Sequence, residues 1–505
     1  LVLLGIDVGT SGCKLAAFRE DGTMLARTFR EYPFITPRAG WLEIDPERIW
    51  KAVLSALREM NTRLQGQIDV IAVTSHGETL IPLNAQGEPL CHAIANFDTR
   101  AQRYVDFWKE RINPLELFYL TGMPLHGMYT VNKILWLRDE RPEIFEKTWK
   151  FTCVQDFIIF RLTQEEPVID YSLASRTMMF EVERKEWSPQ ILSWVGLERE
   201  RLSRLAPSGT VVGTLTPRLS EEWDLPRGIP IVTGGHDQPC GVLGCGVRER
   251  GEAMYGIGTS ECVALNLGTI PSFTKGMLEN SFCCYPHVME GCYITLAYIA
   301  SGGSILRWFR DTLGYEEVLK ADRENRDAYE VLLEDLPERP TSLFLLPHFA
   351  GSGTPYLDEH SRGALLGLTL GTEKKEIVRA ILESLSYEMK LNLDLFEDFG
   401  IPVKRLRVIG GGARSREWLQ IKADILQKPL LTLDVSEAVA LGTAMLAGKA
   451  RGAFHHLDEA MAAMVREREA FMSSTLAPQY LPRYAVYRKI YDHLKQLNLE
   501  MSKLV

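Results

Sequence analysis

Residues 3–14 read Leu3-Leu4-Gly5-Ile6-Asp7-Val8-Gly9-Thr10-Ser11-Gly12-Cys13-Lys14, and half a chain later residues 255–260 read Tyr255-Gly256-Ile257-Gly258-Thr259-Ser260. Each is a partly apolar run that ends in a Gly-Thr-Ser turn. Each is followed by a second, mostly apolar stretch: Cys13, Leu15, Ala16 and Ala17 after the first, Cys262, Val263, Ala264 and Leu265 after the second. A strand, a tight turn and a returning strand make a β-hairpin. One such hairpin is only a turn, but two matched ones half a chain apart predict two domains of related fold. Short apolar strands elsewhere end in polar or glycine-rich tips. Residues 70–74 lead into Ser75-His76-Gly77-Glu78, residues 230–233 into Gly234-Gly235-His236-Asp237, and residues 405–409 into Gly410-Gly411-Gly412. Residues 376–393 place Ile377, Ala380, Ile381, Leu385 and Met389 at helical spacing. Strands alternating with helices predict an α/β class, with ligands at the carboxyl ends of the strands. The turn at 246–251 is the expected boundary, giving domains 1–247 and 248–505. Residues 482–504 read as one peripheral helix.

The bulk properties agree. A chain of 505 residues is too long for one ordinary core. It is 46% hydrophobic and 24% charged, as soluble globular proteins are. Its net charge of −9 argues against nucleic acid as a partner, and no apolar run is long enough for a membrane span. The apolar N-terminal stretch is broken by Asp7 and by glycines, so it reads as a buried strand rather than a signal peptide. Nine cysteines are scattered, with only Cys240/Cys245 and Cys283/Cys284 close together, and neither spacing makes a zinc site. Reduced, buried thiols in the cytoplasm are the expectation.

The hairpins carry parts that phosphate chemistry needs. Glycine turns offer backbone amides to phosphate oxygens, and hydroxyls add directed donors. In the first hairpin Asp7 is the candidate holder of Mg²⁺, Gly9, Thr10 and Ser11 the candidate phosphate ligands, and Lys14 the neutralising cation. Gly258, Thr259 and Ser260 would clamp the phosphates from the other domain. No Walker A loop occurs, so phosphate binding has to rest on the paired hairpins. The three glycines Gly410, Gly411 and Gly412, followed by Ala413 and Ser415, would let a base or ribose lie against the backbone.

Met128-Tyr-Thr-Val-Asn-Lys133-Ile-Leu-Trp136-Leu-Arg-Asp-Glu140 resembles the first signature of the FGGY carbohydrate kinases. The stretch Gly363-Ala-Leu-Leu-Gly367-Leu, with 376–383 after it, resembles the second. The phosphate hairpins of that family match Asp7 to Lys14 and Gly256 to Glu261. Its adenosine loop resembles Gly410 to Ser415 with 437–442 after it, and its Gly-Gly-x-x-x-x-Trp stretch matches Gly302, Gly303 and Trp308. The resemblance implies two actin-like (ribonuclease H-like) domains flanking a cleft, ATP with Mg²⁺, nucleotide mainly on the second domain and sugar mainly on the first. It also implies closure of the cleft on binding, and it places the catalytic base at Asp237. A carboxylate at a glycine-rich strand end can accept a hydroxyl proton; read from the residues alone, a helix N-cap is the preferred reading of Asp237.

On the sugar side, His76, Glu78, Asp98, Arg100 and His236 are the candidates. Glu78 falls where glycerol kinases carry Arg-Glu-Thr, but Gly77 stands in place of the arginine. Ser75-His76-Gly77 is similar to the Met-His-Gly of xylulokinases. Asn96-Phe-Asp98-Thr-Arg100 lacks the tryptophan usual in the family, and Asp98 with Arg100 reads as a pair that orients the pocket. His76 is either a sugar ligand or a histidine satisfied within the fold. Gly351-Ser352-Gly353-Thr354-Pro355 lacks the charged pair many members have there, which sets the chain apart from close xylulokinases. The expectation is an ATP-dependent kinase of a small ketose or polyol, xylulokinase-like, with a homodimer allowed for. The rival is a non-catalytic ATP- or sugar-binding module of the same fold. It requires the base or a hairpin to be missing, whereas Asp7, Thr10, Asp237 and Thr259 are all present.

Overall fold

The computed structural model describes residues 1–269 and 273–504. Two sheets organise the chain. The first is six-stranded, in the order Val211–Thr214, Pro230–His236, Val70–Ser75, Leu3–Val8, Gly12–Phe18, Met24–Glu31. The second is seven-stranded, in the order Tyr285–Pro286, Tyr293–Ile299, Glu261–Gly268, Glu252–Ile257, Arg405–Ile409, Leu430–Leu433, Glu467–Phe471. Each contains the same core. A three-strand antiparallel meander is built on the hairpin, two parallel strands lie beside the hairpin's first strand, and an antiparallel strand closes that edge. The copies differ in how the edge strand arrives. Val211–Thr214 precedes its neighbour in the chain, whereas Glu467–Phe471 follows its own. The sequence echo is therefore an echo of topology, and the fold is the expected α/β pair of related sheets.

Leu3–Val8 and Val70–Ser75 are parallel neighbours covered on both faces, which is why they read as continuous apolar runs. Side chains alternate across a sheet. Leu4, Ile6, Val8, Ile71 and Val73 therefore join one core with helices Pro46–Arg63 and Val154–Thr163. Leu3, Val70 and Ala72 join another, with helices Asp237–Gly244 and Ala438–Ala450. That second helix belongs to the other half of the sequence and comes close because glycines permit it. A Cβ on Gly5 would lie 2.2 Å from the carbonyl oxygen of Ala440. Between the two helices, a Cβ on Gly244 would lie 1.8 Å from the Ala438 oxygen, and one on Gly442 would lie 1.9 Å from that of Cys240. Each helix follows the second of its sheet's two parallel strands, so the two are counterparts packed on each other.

The strand expected at 230–233 continues to His236, and the helix expected at 376–393 runs over Lys374–Asp398. The C-terminal segment is two helices rather than one, Ala477–Tyr487 and Ile490–Met501. Tyr487 Oη donates to Glu388, and Tyr491 stacks on Tyr356 with ring centroids 3.7 Å apart. The segment bends to bury both rings. No helix among the described residues is long and apolar enough to cross a membrane.

Candidate functional site

The first hairpin is closed by the Gly9 amide donating to the Gly12 carbonyl at 2.9 Å, and braced from behind by the Tyr32 hydroxyl on the Gly9 carbonyl. Asp7 pairs across the hairpin with Lys14. Its Oδ1 is buried and has no hydrogen-bond partner. Burial, against the opposing pull of Lys14, raises the Asp7 carboxyl to about 6. Lys14 reaches Glu437 at 2.8 Å, and Arg27 reaches the same carboxylate at 2.9 Å. Glu437 is the residue before helix Ala438–Ala450, so this contact ties the first hairpin to the second half of the chain. Thr10 is half-buried and Ser11 exposed at the tip.

Asp237 opens the counterpart helix. His236 occupies the N-cap position and no side chain caps it, so Asp237 is the first helical residue and not a cap. Asp237 Oδ1 is buried without a hydrogen-bond partner. His236 Nε2 lies 3.2 Å from it, outside hydrogen-bond alignment, while His236 Nδ1 is 2.9 Å from the Tyr285 hydroxyl. Burial, then the adjacent charge of Arg176, hold His236 neutral, far below the usual histidine range. Burial first, then the negative charges of Asp7 and Glu78, push Asp237 up to about 7, against hydrogen bonds from Gln238 that pull it down. Helix Asp237–Gly244 packs on Glu261–Gly268, the returning strand of the second hairpin, and the charge of Asp237 helps to raise the Cys262 thiol there.

The second hairpin is held differently. Gly258 N donates to Ser260 O at 3.0 Å. Gly302 and Gly303 donate their amides to Thr259 and Gly258 at 2.9 and 2.8 Å, and Ser304 donates to Thr259 at 3.1 Å. The amides at the start of helix Gly303–Thr312 are thus committed to the hairpin. Beneath it Glu261 and Lys422 form an ion pair at 2.8 Å with both side chains fully buried, and the Tyr255 hydroxyl joins the pair.

Beside the second sheet lies a cavity of about 880 Å³. Gly410 and Gly411, Ala413, Arg414 and Glu437 are among its lining residues. Gly410 takes φ +94 and passes close to the Ile257 carbonyl, where a Cβ would sit 2.5 Å away. Gly412 packs on Ile257 and Trp418, and Gly411 has open space where a side chain would be. Ser415 caps helix Arg416–Leu426 by accepting from the Trp418 amide at 3.2 Å.

Among the sugar-side candidates, His76 is satisfied internally. Nδ1 donates to the Val8 carbonyl at 3.0 Å, which leaves Nε2 to accept from the Thr79 hydroxyl at 2.8 Å. It fastens one strand end to the first hairpin. Asp98 and Arg100 do pair, at 2.9 and 2.8 Å in a bidentate fork, with Arg100 also on Glu43 and stacked on Trp41. Glu78 is buried at φ +63. Lys133 Nζ (2.7 Å) and Thr130 Oγ1 (3.2 Å) donate to its carbonyl, and its carboxylate pairs with Arg176. Among the described residues no group of three or more His, Cys, Asp or Glu is arranged to hold a metal ion.

The model of the FGGY family of carbohydrate kinases matches with its N-terminal domain over residues 2–244 and with its C-terminal domain over 253–451. The chain belongs to the FGGY family of carbohydrate kinases. A xylulose kinase of Bacillus subtilis (strain 168) is 30% identical over 99% of this chain and 98% of its own length. A gluconokinase of the same organism is 31% identical over 90% and 89%. The solved structure of a ligand-bound xylulose kinase from Lactobacillus acidophilus superposes with a TM-score of 0.89 at 24% identity, covering 98% of both chains. The family brings with it the actin-like fold and the activity of an ATP-dependent sugar kinase.

Four contributors to this kinase's site escaped the sequence reading: Arg176, Tyr285, Glu437 as the partner of Lys14, and the Glu261–Lys422 pair. Arg176 meets Gly77 and Glu78 across almost a hundred residues of chain, and no local motif announces such a contact. Glu437 lies in a stretch matched to the nucleotide side, yet its charge serves the first hairpin.

Proposed function

We propose that the kinase transfers the γ-phosphoryl group of ATP to a hydroxyl of a small ketose or polyol of four to six carbons, xylulose-like, with Asp237 as the base. The observation that carries this is Asp237 itself: a carboxylate at a helix start that caps nothing, with a buried oxygen free of partners and a pKa near neutrality. A group so poised accepts a proton at working pH. The acceptor hydroxyl attacks the γ-phosphorus in line, its proton passes to Asp237 Oδ1, and the bond to the β-phosphate oxygen breaks to leave ADP. The amides and hydroxyls at Gly9, Thr10 and Ser11 and at Gly258, Thr259 and Ser260 would hold the polyphosphate from two sides. Gly302 and Gly303 brace the second turn. Gly410 to Ala413 would floor the adenosine cavity, with sugar mainly on residues 1–247 and nucleotide mainly on 248–505.

Mg²⁺ fits the donor set. Asp7 Oδ1 is a buried oxygen without a partner, the hard ligand this ion prefers, and phosphate oxygens and water would complete its shell. Bound there, it would neutralise charge on the polyphosphate. Lys14 would then exchange Glu437 for phosphate, and closure of the cleft would exclude water. His76 and the Asp98–Arg100 pair are assigned positioning roles, because their polar atoms are already engaged. ADP release measured with Mg²⁺-ATP and a panel of about thirty ketoses, polyols and aldonates tests the reading. Turnover with a ketose or polyol is expected; sugar-independent hydrolysis alone would contradict it.

A further inference from the structure

The strand that delivers Asp237 does not run straight to it. Along Pro230–His236 the register against Val70–Ser75 places Thr233 opposite Val73 but His236 opposite Ser75. Gly234-Gly235 therefore carries one residue too many, a bulge that bends the strand and interrupts the ladder. No side chain fits in it. A Cβ on Gly234 would lie 2.4 Å from the Val73 carbonyl oxygen, and one on Gly235 would lie 2.3 Å from Val288 Cγ1. Buried backbone groups that leave a ladder need other partners. The Gly235 carbonyl accepts from the Thr74 hydroxyl, and the His236 amide donates to Ser172 Oγ at 2.8 Å.

Ser172 is fully buried, and its partners fix the direction of its bonds. An amide can only donate, so Oγ accepts from His236, and its one hydrogen goes to Asp170 Oδ2 at 2.6 Å. That carboxylate oxygen also accepts from the Ser172 amide at 2.8 Å and the Ser208 hydroxyl at 2.9 Å, and Oδ1 accepts from the Leu173 amide at 3.2 Å. Capping of helix Tyr171–Ser175 accounts for the two amides but not for the relay through the Ser172 hydroxyl. Burial raises the fully buried Asp170 carboxyl to about 6, with the bonds from Ser172 opposing, so it is ionised at neutral pH and keeps the Ser172 hydrogen. A chain of carboxylate, hydroxyl and amide thus ends one residue before Asp237.

We infer that Asp170 and Ser172 are positioning residues for phosphoryl transfer, pinning the Gly234-Gly235 bulge so that the Asp237 carboxylate meets the acceptor hydroxyl. The inference rests on the reading of Asp237 as the base. Both residues act through the main chain of His236, and a misplacement of about 1 Å at a reacting group is enough to cost about 10²-fold in rate. The charge of Asp170 makes the hydroxyl link a strong one, and the glycines of the bulge supply no side chain that could hold the strand end instead.

Steady-state kinetics of the full chain on its best sugar, with folding checked by near-UV circular dichroism, test this. Ser172→Ala should lower kcat by about 10- to 10²-fold and change KM for ATP and sugar by less than about threefold. Ser208→Ala removes a bond to the same Asp170 oxygen without touching His236, and should leave kcat within about twofold of wild type. Made in Asp237→Asn, Ser172→Ala should cost less than about threefold more, because a base that is gone cannot be misplaced further. Asp170→Asn keeps the shape and loses the charge. It reads the relay even where Ser172→Ala does not fold, with a loss of about tenfold in kcat that is again absent from Asp237→Asn. Normal kcat in a folded Ser172→Ala or Asp170→Asn protein, an equal loss in Ser208→Ala, or losses that multiply with that of Asp237→Asn would each overturn the inference. Any of these with Asp237→Asn inactive leaves the base in place and sinks the positioning alone. Near wild-type kcat in Asp237→Asn itself sinks the base, and the inference with it.

Discussion

The two hairpins share a turn and a topology but not a chemistry. Superimposed by sequence, Gly9-Thr10-Ser11 matches Gly258-Thr259-Ser260 and Cys13 matches Cys262, whereas Asp7 faces Gly256 and Lys14 faces Val263. The first keeps a partnerless carboxylate oxygen and a lysine reaching across to Glu437. The second has no ionisable group at those positions. The acid next to its turn, Glu261, is turned inward onto Lys422 where water does not reach. The helices repeat the contrast. Asp237 and Glu437 both stand at the start of counterpart helices, one with an oxygen that accepts no hydrogen bond and a carboxyl pushed towards neutrality, the other clamped between Lys14 and Arg27. The two turns share a geometry, and only the first places a partnerless carboxylate oxygen and a lysine beside it.

The comparison breaks most visibly at the buried pair. Lys422→Met leaves Glu261 charged and buried with no cation, only the Tyr255 hydroxyl beside it, and should cost roughly 3–5 kcal/mol of stability. Adding Glu261→Leu should recover most of it, read by denaturant unfolding. Equal losses in the single and double variants would mean the pair is not what holds the second hairpin. At the first hairpin, Asp7→Asn should leave stability almost unchanged and lower kcat by about 10²- to 10³-fold, the scale of removing one preorganised charged group from a reacting centre. A variant with normal kcat would make the two hairpins chemically equivalent after all. Where the counterpart helices touch, Gly442→Ala puts a Cβ against the Cys240 carbonyl and should cost about 1–3 kcal/mol, seen as a lower Tm.

The smallest effect sharpens the electrostatics. In the proposed role Asp237 works deprotonated, so kcat/KM should be low in acid, rise through about pH 7 and level off above it. Glu78→Gln removes one of the two negative charges that hold this pKa up, so the rise should move to lower pH. A limb that stays in place would mean that burial alone sets it.

The hairpins and the parallel strands were legible in the sequence because each is local: a glycine turn, an apolar run. The same locality hid the rest. From the residues alone Asp237 read first as a cap, since only the helix start at that residue and not after it tells the two apart. His76 offered a free imidazole on paper, but Val8 and Thr79 take both nitrogens once the strands pair. Gly77 looked like a lost arginine, and the packing of Arg176 on it depends on a contact across the fold. Gly302 and Gly303 match a family stretch in the sequence, and their amides on Thr259 and Gly258 are visible only in the fold.

The most direct test of the account is kcat for Asp237→Asn on the best sugar, with ATP and sugar affinity measured alongside. Asparagine keeps the size and the hydrogen bonding but cannot take a proton at neutral pH. The account predicts a fall in kcat of about 10²- to 10⁴-fold with both ligands still bound, the low end being expected if little bond has formed to the nucleophile in the transition state. Near wild-type kcat in a folded Asp237→Asn protein would contradict it.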